Sequence, residues 1–223
     1  HMTHMGCSSL PEALVRQSLR CGLSDGWGGS MCGTEFSDVM FGTPMPVETE
    51  ANLGVMEKDM VNIIVHGHDP SLSEMIVKYA EDPEMIALAK SVGAKGINIA
   101  GVCCTSNEVA MRHGIPMAGN FLQQENVVLT GACEAIVVDV QCIFPALGPL
   151  SKCFHTKFVT TSKIAQMPDS DFIHFSAENA GENAKAIVKM AVENFVNRKP
   201  ELVHIPDMKQ KATVGYSFEA IVK

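Results

Sequence analysis

Three β-branched apolar runs, each of strand length and each handing over to a helical pattern, constrain this chain more than any other feature. They are Val61-Asn62-Ile63-Ile64-Val65, Gly96-Ile97-Asn98-Ile99-Ala100-Gly101-Val102 and Ala135-Ile136-Val137-Val138-Asp139-Val140. Apolar runs without polar alternation suit strands covered on both faces. Strands that alternate with helices pair in parallel through right-handed crossovers. Helical patterns over 71–81, 83–92, 105–113, 120–130 and 177–197 fill the gaps, with Thr105-Ser106 read as the cap of the third. Phe158–Thr161, Phe172–Phe175 and Leu202–Pro206 are shorter strand candidates. The expected fold class is therefore α/β: a Rossmann-like three-layer domain with a mainly parallel sheet, preceded by a short helical segment. That segment, with Leu14, Val15, Ser18 and Leu19 on one face, is expected to break at Gly26-Trp27-Gly28-Gly29 into two short helices.

The expected organisation is 1–6 as tag residues, since His1-Met2-Thr3-His4-Met5 reads as a vector remnant, then 7–46 as the helical segment. Residues 47–207 form the α/β domain, because Pro44 and Pro46 end any helix before it. Residues 208–223 begin a linker and a helix, Tyr216–Val222, leading to a further C-terminal domain. At 223 residues and 46% hydrophobic content the chain has enough material for a sizeable core. Acidic residues outnumber basic ones 25 to 17, a net charge of −8, which argues against a nucleic-acid groove or an anionic membrane surface as partner. There is no run of about eighteen apolar residues and no basic-then-apolar leader. Eight irregularly spaced cysteines then fit reduced thiols or metal ligands, and a cytoplasmic, anaerobic setting.

In an open parallel sheet, ligands gather outside the carboxyl ends of the strands. The three long runs end in His66-Gly67-His68, in Cys103-Cys104 and in Gln141-Cys142, so thiols and an imidazole share one edge. That donor set suits an iron–sulfur centre, zinc or nickel better than magnesium or calcium. No G-x-G-x-x-G or G-x-x-x-x-G-K-[ST] phosphate loop occurs, and no C-x-x-C. A nucleophilic pair of His68 with Cys104 or Cys142 is the weaker catalytic reading, since G-x-S-x-G and similar signatures are missing. Cys21, Cys32 and Cys133 read as packing residues in helical patterns, Cys153 as core or a support for the site, and Asp25 as a turn former or a carboxylate orienting a histidine. The 14 methionines read as core filler.

At these same positions the chain resembles the catalytic subunit of anaerobic nickel-dependent carbon monoxide dehydrogenase, almost unbroken from Gly22 to Val222. The carriers are Ser24-Asp25-Gly26-Trp27-Gly28-Gly29-Ser30, Val65-His66-Gly67-His68-Asp69-Pro70, Gly93-Ala94-Lys95-Gly96-Ile97-Asn98 and Gly101-Val102-Cys103-Cys104-Thr105-Ser106-Asn107-Glu108. It continues in Gly119-Asn120-Phe121-Leu122-Gln123-Gln124-Glu125, Val137-Val138-Asp139-Val140-Gln141-Cys142 and Cys153-Phe154-His155-Thr156-Lys157.

The resemblance implies oxidation of CO with water to CO2, two protons and two electrons at a nickel–iron–sulfur C-cluster. It further implies a ferredoxin-type electron acceptor and a homodimeric parent. By the same resemblance His68 and Cys104 hold the unique iron and Cys142 the cubane part, with Asp25 as a supporting neighbour; Cys103 is placed beside them in support, and because adjacent strand residues point to opposite faces the vicinal pair Cys103-Cys104 leaves open which thiol faces the cluster. Family chains are much longer, and their electron-transfer clusters, remaining cluster cysteines and catalytic lysine and histidine lie outside the segment seen here. The chain therefore reads as the middle domain with flanking helices, inactive by itself and carrying the cluster at most in part. Two rival readings have their own signatures. A hydroxylamine-reducing hybrid-cluster-like protein needs a cluster-binding Glu beside His68, and a non-catalytic metal-binding module folds identically with and without metal.

Overall fold

The computed structural model describes residues 8–215. Cys7, the tag residues and the expected helix Tyr216–Val222 lie outside them. The chain divides at Thr43/Pro44 into two compact units. The first is helical: α1 (Pro11–Asp25) starts with Pro11 in its first turn and α2 (Gly33–Phe41) stops at Gly42, whose φ is +89°. The expected break between them does not occur. Gly26–Cys32 continues as a π-helix, so the glycines widen the turn instead of ending the helix.

The second unit is an eight-stranded sheet with helices on both faces. Its strands are β1 (Val47–Ala51), β2 (Val61–His66), β3 (Ile97–Val102), β4 (Met117–Gly119), β5 (Cys133–Val138), β6 (Lys157–Thr160), β7 (Asp171–Phe172) and β8 (Gln210–Val214), in the order β7-β6-β5-β2-β3-β4-β1-β8. All pairings are parallel except β1 with β8. Every residue of β2 and β5 is buried, the polar Asn62, His66 and Glu134 included, as suits strands covered on both faces. Val61, Ile63 and Val65 pack on one face under α3 (Pro70–Ala80), α4 (Pro83–Ser91), α5 (Cys103–His113) and α8 (Ala180–Asn194). Ile64, Ala100 and Ile136 pack on the other, under α6 (Gln124–Leu129) and α7 (Leu147–Cys153). Asp69 caps α3 and Asp82 caps α4 through their side chains, each followed by a proline in the first turn.

Several expectations are corrected. Residues 210–214, expected as linker, form β8, the edge strand, antiparallel to β1; both strands are rich in polar residues, so neither shows as an apolar run, and Glu50 faces Lys211 across the pair. Leu202–Pro206 is not a strand but a 3-10 turn, Pro200–Leu202, followed by irregular chain. Cys133 lies at the start of β5 and not in a helix, while Cys21, Cys32 and Cys153 are exposed instead of packed in a core. Thr105 and Ser106 do not cap α5, which already begins at Cys103; both are buried in its first turn.

Candidate metal centre

Sheet register brings the three expected loops together. His66 at the end of β2 lies level with Val102 of β3 on one side and Val138 of β5 on the other, so three adjacent parallel strands finish side by side. The chain builds outward from β2 through β3 and β4 on one side, then crosses back to place β5 on the other. The loops part there, at a topological switch point, and leave a crevice.

Short-range geometry then turns the loops inward. Gly67 has φ of +126°, and a Cβ at that position would sit 2.0 Å from the Asp139 carboxylate. That carboxylate accepts the main-chain N–H of His68 at 2.6 Å and of Asp69 at 3.0 Å, and also that of Val140. Burial pushes the Asp139 carboxyl up to about 7 against the opposing pull of these three N–H groups, with the Asp69 charge adding to the rise. The N–H of Thr105 donates to the Gly67 carbonyl at 2.9 Å, which ties the first turn of α5 to the His68 loop. Gly101 lets that turn approach closely, since a Cβ there would meet Ser106 Cβ at 2.0 Å. Gln141 and Cys142 both take left-handed φ, +63° and +55°. Behind them the buried His66 imidazole, its pKa lowered by burial, faces the Gln124 carboxamide at 3.1 Å.

The result is a trio, His68, Cys103 and Cys142, whose ligand atoms lie within 4.8 Å of one another. Among the described residues no carboxylate joins them. His68 Nδ1 is buried without a hydrogen-bond partner, so the histidine of the trio keeps one imidazole nitrogen unpaired. Burial pushes the Cys103 thiol up to about 12, and the neighbouring Cys104 and Cys142 sulfurs add to that. A bound cation reverses this logic, because it turns crowded thiolates into ligands and supplies the orphaned nitrogen with a partner. The donor set fits a soft or borderline metal.

The residues expected from sequence divide as follows. His68 and Cys142 meet in the trio. The sulfur grouped with them is that of Cys103, which leaves the strand with φ of +69°, while Cys104, expected as the ligand, follows it as an exposed residue of the first helical turn. Cys104 and Cys103 both line an open cavity of about 550 Å³ between this turn, Phe121 and β8. Asp25 ends α1 in the first unit, and its role beside His68 rests on the resemblance alone. Sequence reasoning missed Asp139 and Gln124 as organisers of the site; a carboxylate at the end of a buried strand and a glutamine at the start of an apolar helix were the available signals.

A family model described as Prismane/CO dehydrogenase family matches residues 1–223. Carbon monoxide dehydrogenase 1 of Methanosarcina mazei is 57% identical over 223 residues, covering 100% of this chain and 36% of that protein. Carbon monoxide dehydrogenase of Rhodospirillum rubrum is 49% identical over 220 residues, covering 99% of this chain and 34% of that one. The solved nickel-free carbon monoxide dehydrogenase from Thermococcus sp. AM4 superposes with a TM-score of 0.94 at 51% identity, over 100% of this chain and 35% of its own. The chain thus spans about a third of the length of the relatives it matches.

Proposed function

Because the chain belongs to the Prismane/CO dehydrogenase family, we propose that it supplies the strand-end half of a nickel–iron–sulfur site in an anaerobic carbon monoxide dehydrogenase. The whole protein's reaction is CO + H2O to CO2, two protons and two electrons, passed to a ferredoxin-type acceptor, and its parent is a cytoplasmic homodimer. The observation that carries this reading is the meeting of His68, Cys103 and Cys142 at the carboxyl ends of adjacent parallel strands. When bound, the cluster supplies Lewis acidity toward water and CO and takes up the two electrons.

The chain's own residues do the holding. His68 offers an imidazole nitrogen already stripped of other partners. Asp139 fixes its loop through main-chain N–H groups and keeps the β2 and β5 ends in register. Cys142 and Cys103 would contribute thiolates, and Cys104, which lines the adjoining cavity, would be a further thiolate for the assembled cluster. These donors do not complete a multi-metal cluster, so the chain by itself carries it in part and reduces no viologen dye on addition of CO.

A hybrid-cluster-like reading lacks its signature, since no glutamate joins His68 among the described residues and the nearby Asp139 carboxylate is occupied by main-chain N–H groups. No helix among them is long and apolar enough to cross a membrane. Iron, nickel and sulfide analysis of anaerobically reconstituted protein tests the proposal against the His68→Ala, Cys104→Ala, Cys142→Ala triple variant. Iron and sulfide that bind to the parent chain and are lost in the variant support it. Equal metal in both, or none in either, overturns it and favours a structural role for the thiols and imidazole.

A further inference from the structure

Gln124, the first residue of α6, is fully buried among apolar side chains, where an unsatisfied carboxamide is costly. Every hydrogen-bonding position of its amide is used. Nε2 donates to the carbonyls of Phe121 at 2.5 Å and Cys142 at 2.9 Å, while Oε1 accepts the N–H of Phe144 at 2.9 Å and faces His66 Nε2 at 3.1 Å. The three main-chain partners fix which end of the amide is oxygen. An imidazole protonated at Nε2 donates to that oxygen at 3.1 Å, and Nδ1 stands farther, 3.4 Å, from the Val102 carbonyl.

The two main-chain bonds, to the Cys142 carbonyl and from the Phe144 N–H, hold the chain immediately after the metal-site thiol. They fall where the backbone is least comfortable, with Gln141 and Cys142 both left-handed although neither is glycine. Such conformations persist only where the surroundings over-determine them. Gln124 is the side chain that does so here, and its brace, His66, stands two residues before His68 on β2.

We propose that Gln124, braced by the His66 imidazole, is the positioning residue that aims the Cys142 thiol into the metal trio. The proposal rests on the metal-site reading above. It couples the β2 and β5 loops: one strand presents His68 directly and, through His66 and Gln124, sets the carbonyl of Cys142. Partners of this outer kind are worth about 10–100-fold in metal affinity.

Anaerobic titration with Co2+ alone tests this, because the near-ultraviolet thiolate-to-cobalt band reports cysteine ligation in particular. The proteins are the wild-type chain, Gln124→Met, the isosteric Gln124→Glu, which loses both amide donors, His66→Leu, His66→Gln, which keeps a donor for Oε1, and Cys142→Ala as reference. Circular dichroism and thermal melting check the fold. The expected result is that Gln124→Met and Gln124→Glu, while folded, bind Co2+ 10–100-fold more weakly, with the band reduced toward that of Cys142→Ala. His66→Gln is expected to retain more affinity than His66→Leu. A folded Gln124→Glu or Gln124→Met with wild-type affinity and an undiminished band overturns the positioning role, as does a fall in melting temperature with the band intact. Wild-type chain that takes up no Co2+ overturns the metal-site reading itself, and this proposal with it.

Discussion

The Asp139 carboxylate accepts the main-chain N–H of His68 at 2.6 Å, across the seam between β5 and β2. That bond joins the loop that offers the imidazole to the strand whose continuation offers Cys142. A carboxylate this buried is held by N–H donors and not by a cation, so it trades desolvation against hydrogen bonding.

The first prediction follows from that trade. The folded Asp139 carboxyl sits at about 7, above the ordinary value of 3.8. The folded state therefore binds a proton more tightly than the unfolded chain. Its stabilising contribution is complete below about pH 4 and is lost as pH rises toward 7, with a slope of at most about 1.4 kcal/mol per pH unit. Asp69 adds negative charge beside it. Urea unfolding at several pH values is expected to show wild type losing stability relative to Asp139→Asn between pH 4 and 7 and a constant difference above that. A difference independent of pH across this range contradicts the assignment.

Gly67→Ala is expected to destabilise the chain by about 2–4 kcal/mol, combining a φ that alanine resists with displacement of a carboxylate tethered by three N–H groups. The same variant is expected to lose Co2+ binding at His68. Equilibrium unfolding and Co2+ titration measure the two effects. Wild-type stability would show that the turn relaxes freely.

At the opposite ends of the strands, the fully buried Glu134 accepts two bonds from Arg198, at 2.6 and 2.7 Å, one from His155 at 2.8 Å and one from the Asn62 N–H at 2.6 Å. Glu134→Ala strands the buried Arg198 guanidinium and is expected to cost about 3–5 kcal/mol. Because this network stands at the amino end of β5 and the metal trio beyond its carboxyl end, Co2+ affinity of the folded variant is expected to stay at the wild-type value. Weakened affinity in the folded variant contradicts the separation.

The vicinal thiols separate in single variants. Cys103→Ala removes the sulfur that stands in the trio and is expected to weaken Co2+ binding about 10-fold or more, whereas Cys104→Ala acts on the assembled cluster and leaves single-ion binding nearly intact. The reverse ranking assigns single-ion binding to Cys104.

Much of this is legible in the order of the amino acids alone. The runs that form β2, β3 and β5 declare themselves because strands buried on both faces have no polar alternation to confuse with a helix. Their ends therefore locate His68 and Cys142. What escapes is of two kinds. β8 is a polar edge strand and β1, between it and β4, is polar too; both are defined by pairing across the sheet, and no local pattern carries that information. Which of the vicinal thiols stands beside His68 and Cys142 follows a local backbone geometry, φ of +69° at Cys103 next to the close approach of Ser106 to Gly101 and the Thr105 bond to Gly67, that residue identity does not announce. Gln124 and Asp139 escape for a related reason: apart from His66 beside Gln124, the hydrogen-bond partners described above are main-chain groups, and these leave no trace in side-chain identity.

Iron K-edge X-ray absorption of the anaerobically reconstituted chain, recorded beside His68→Ala, tests the central claim most directly. The account predicts iron surrounded by sulfur with an imidazole contribution that disappears in His68→Ala. Iron held only by oxygen ligands, or a spectrum identical in the two proteins, would contradict it.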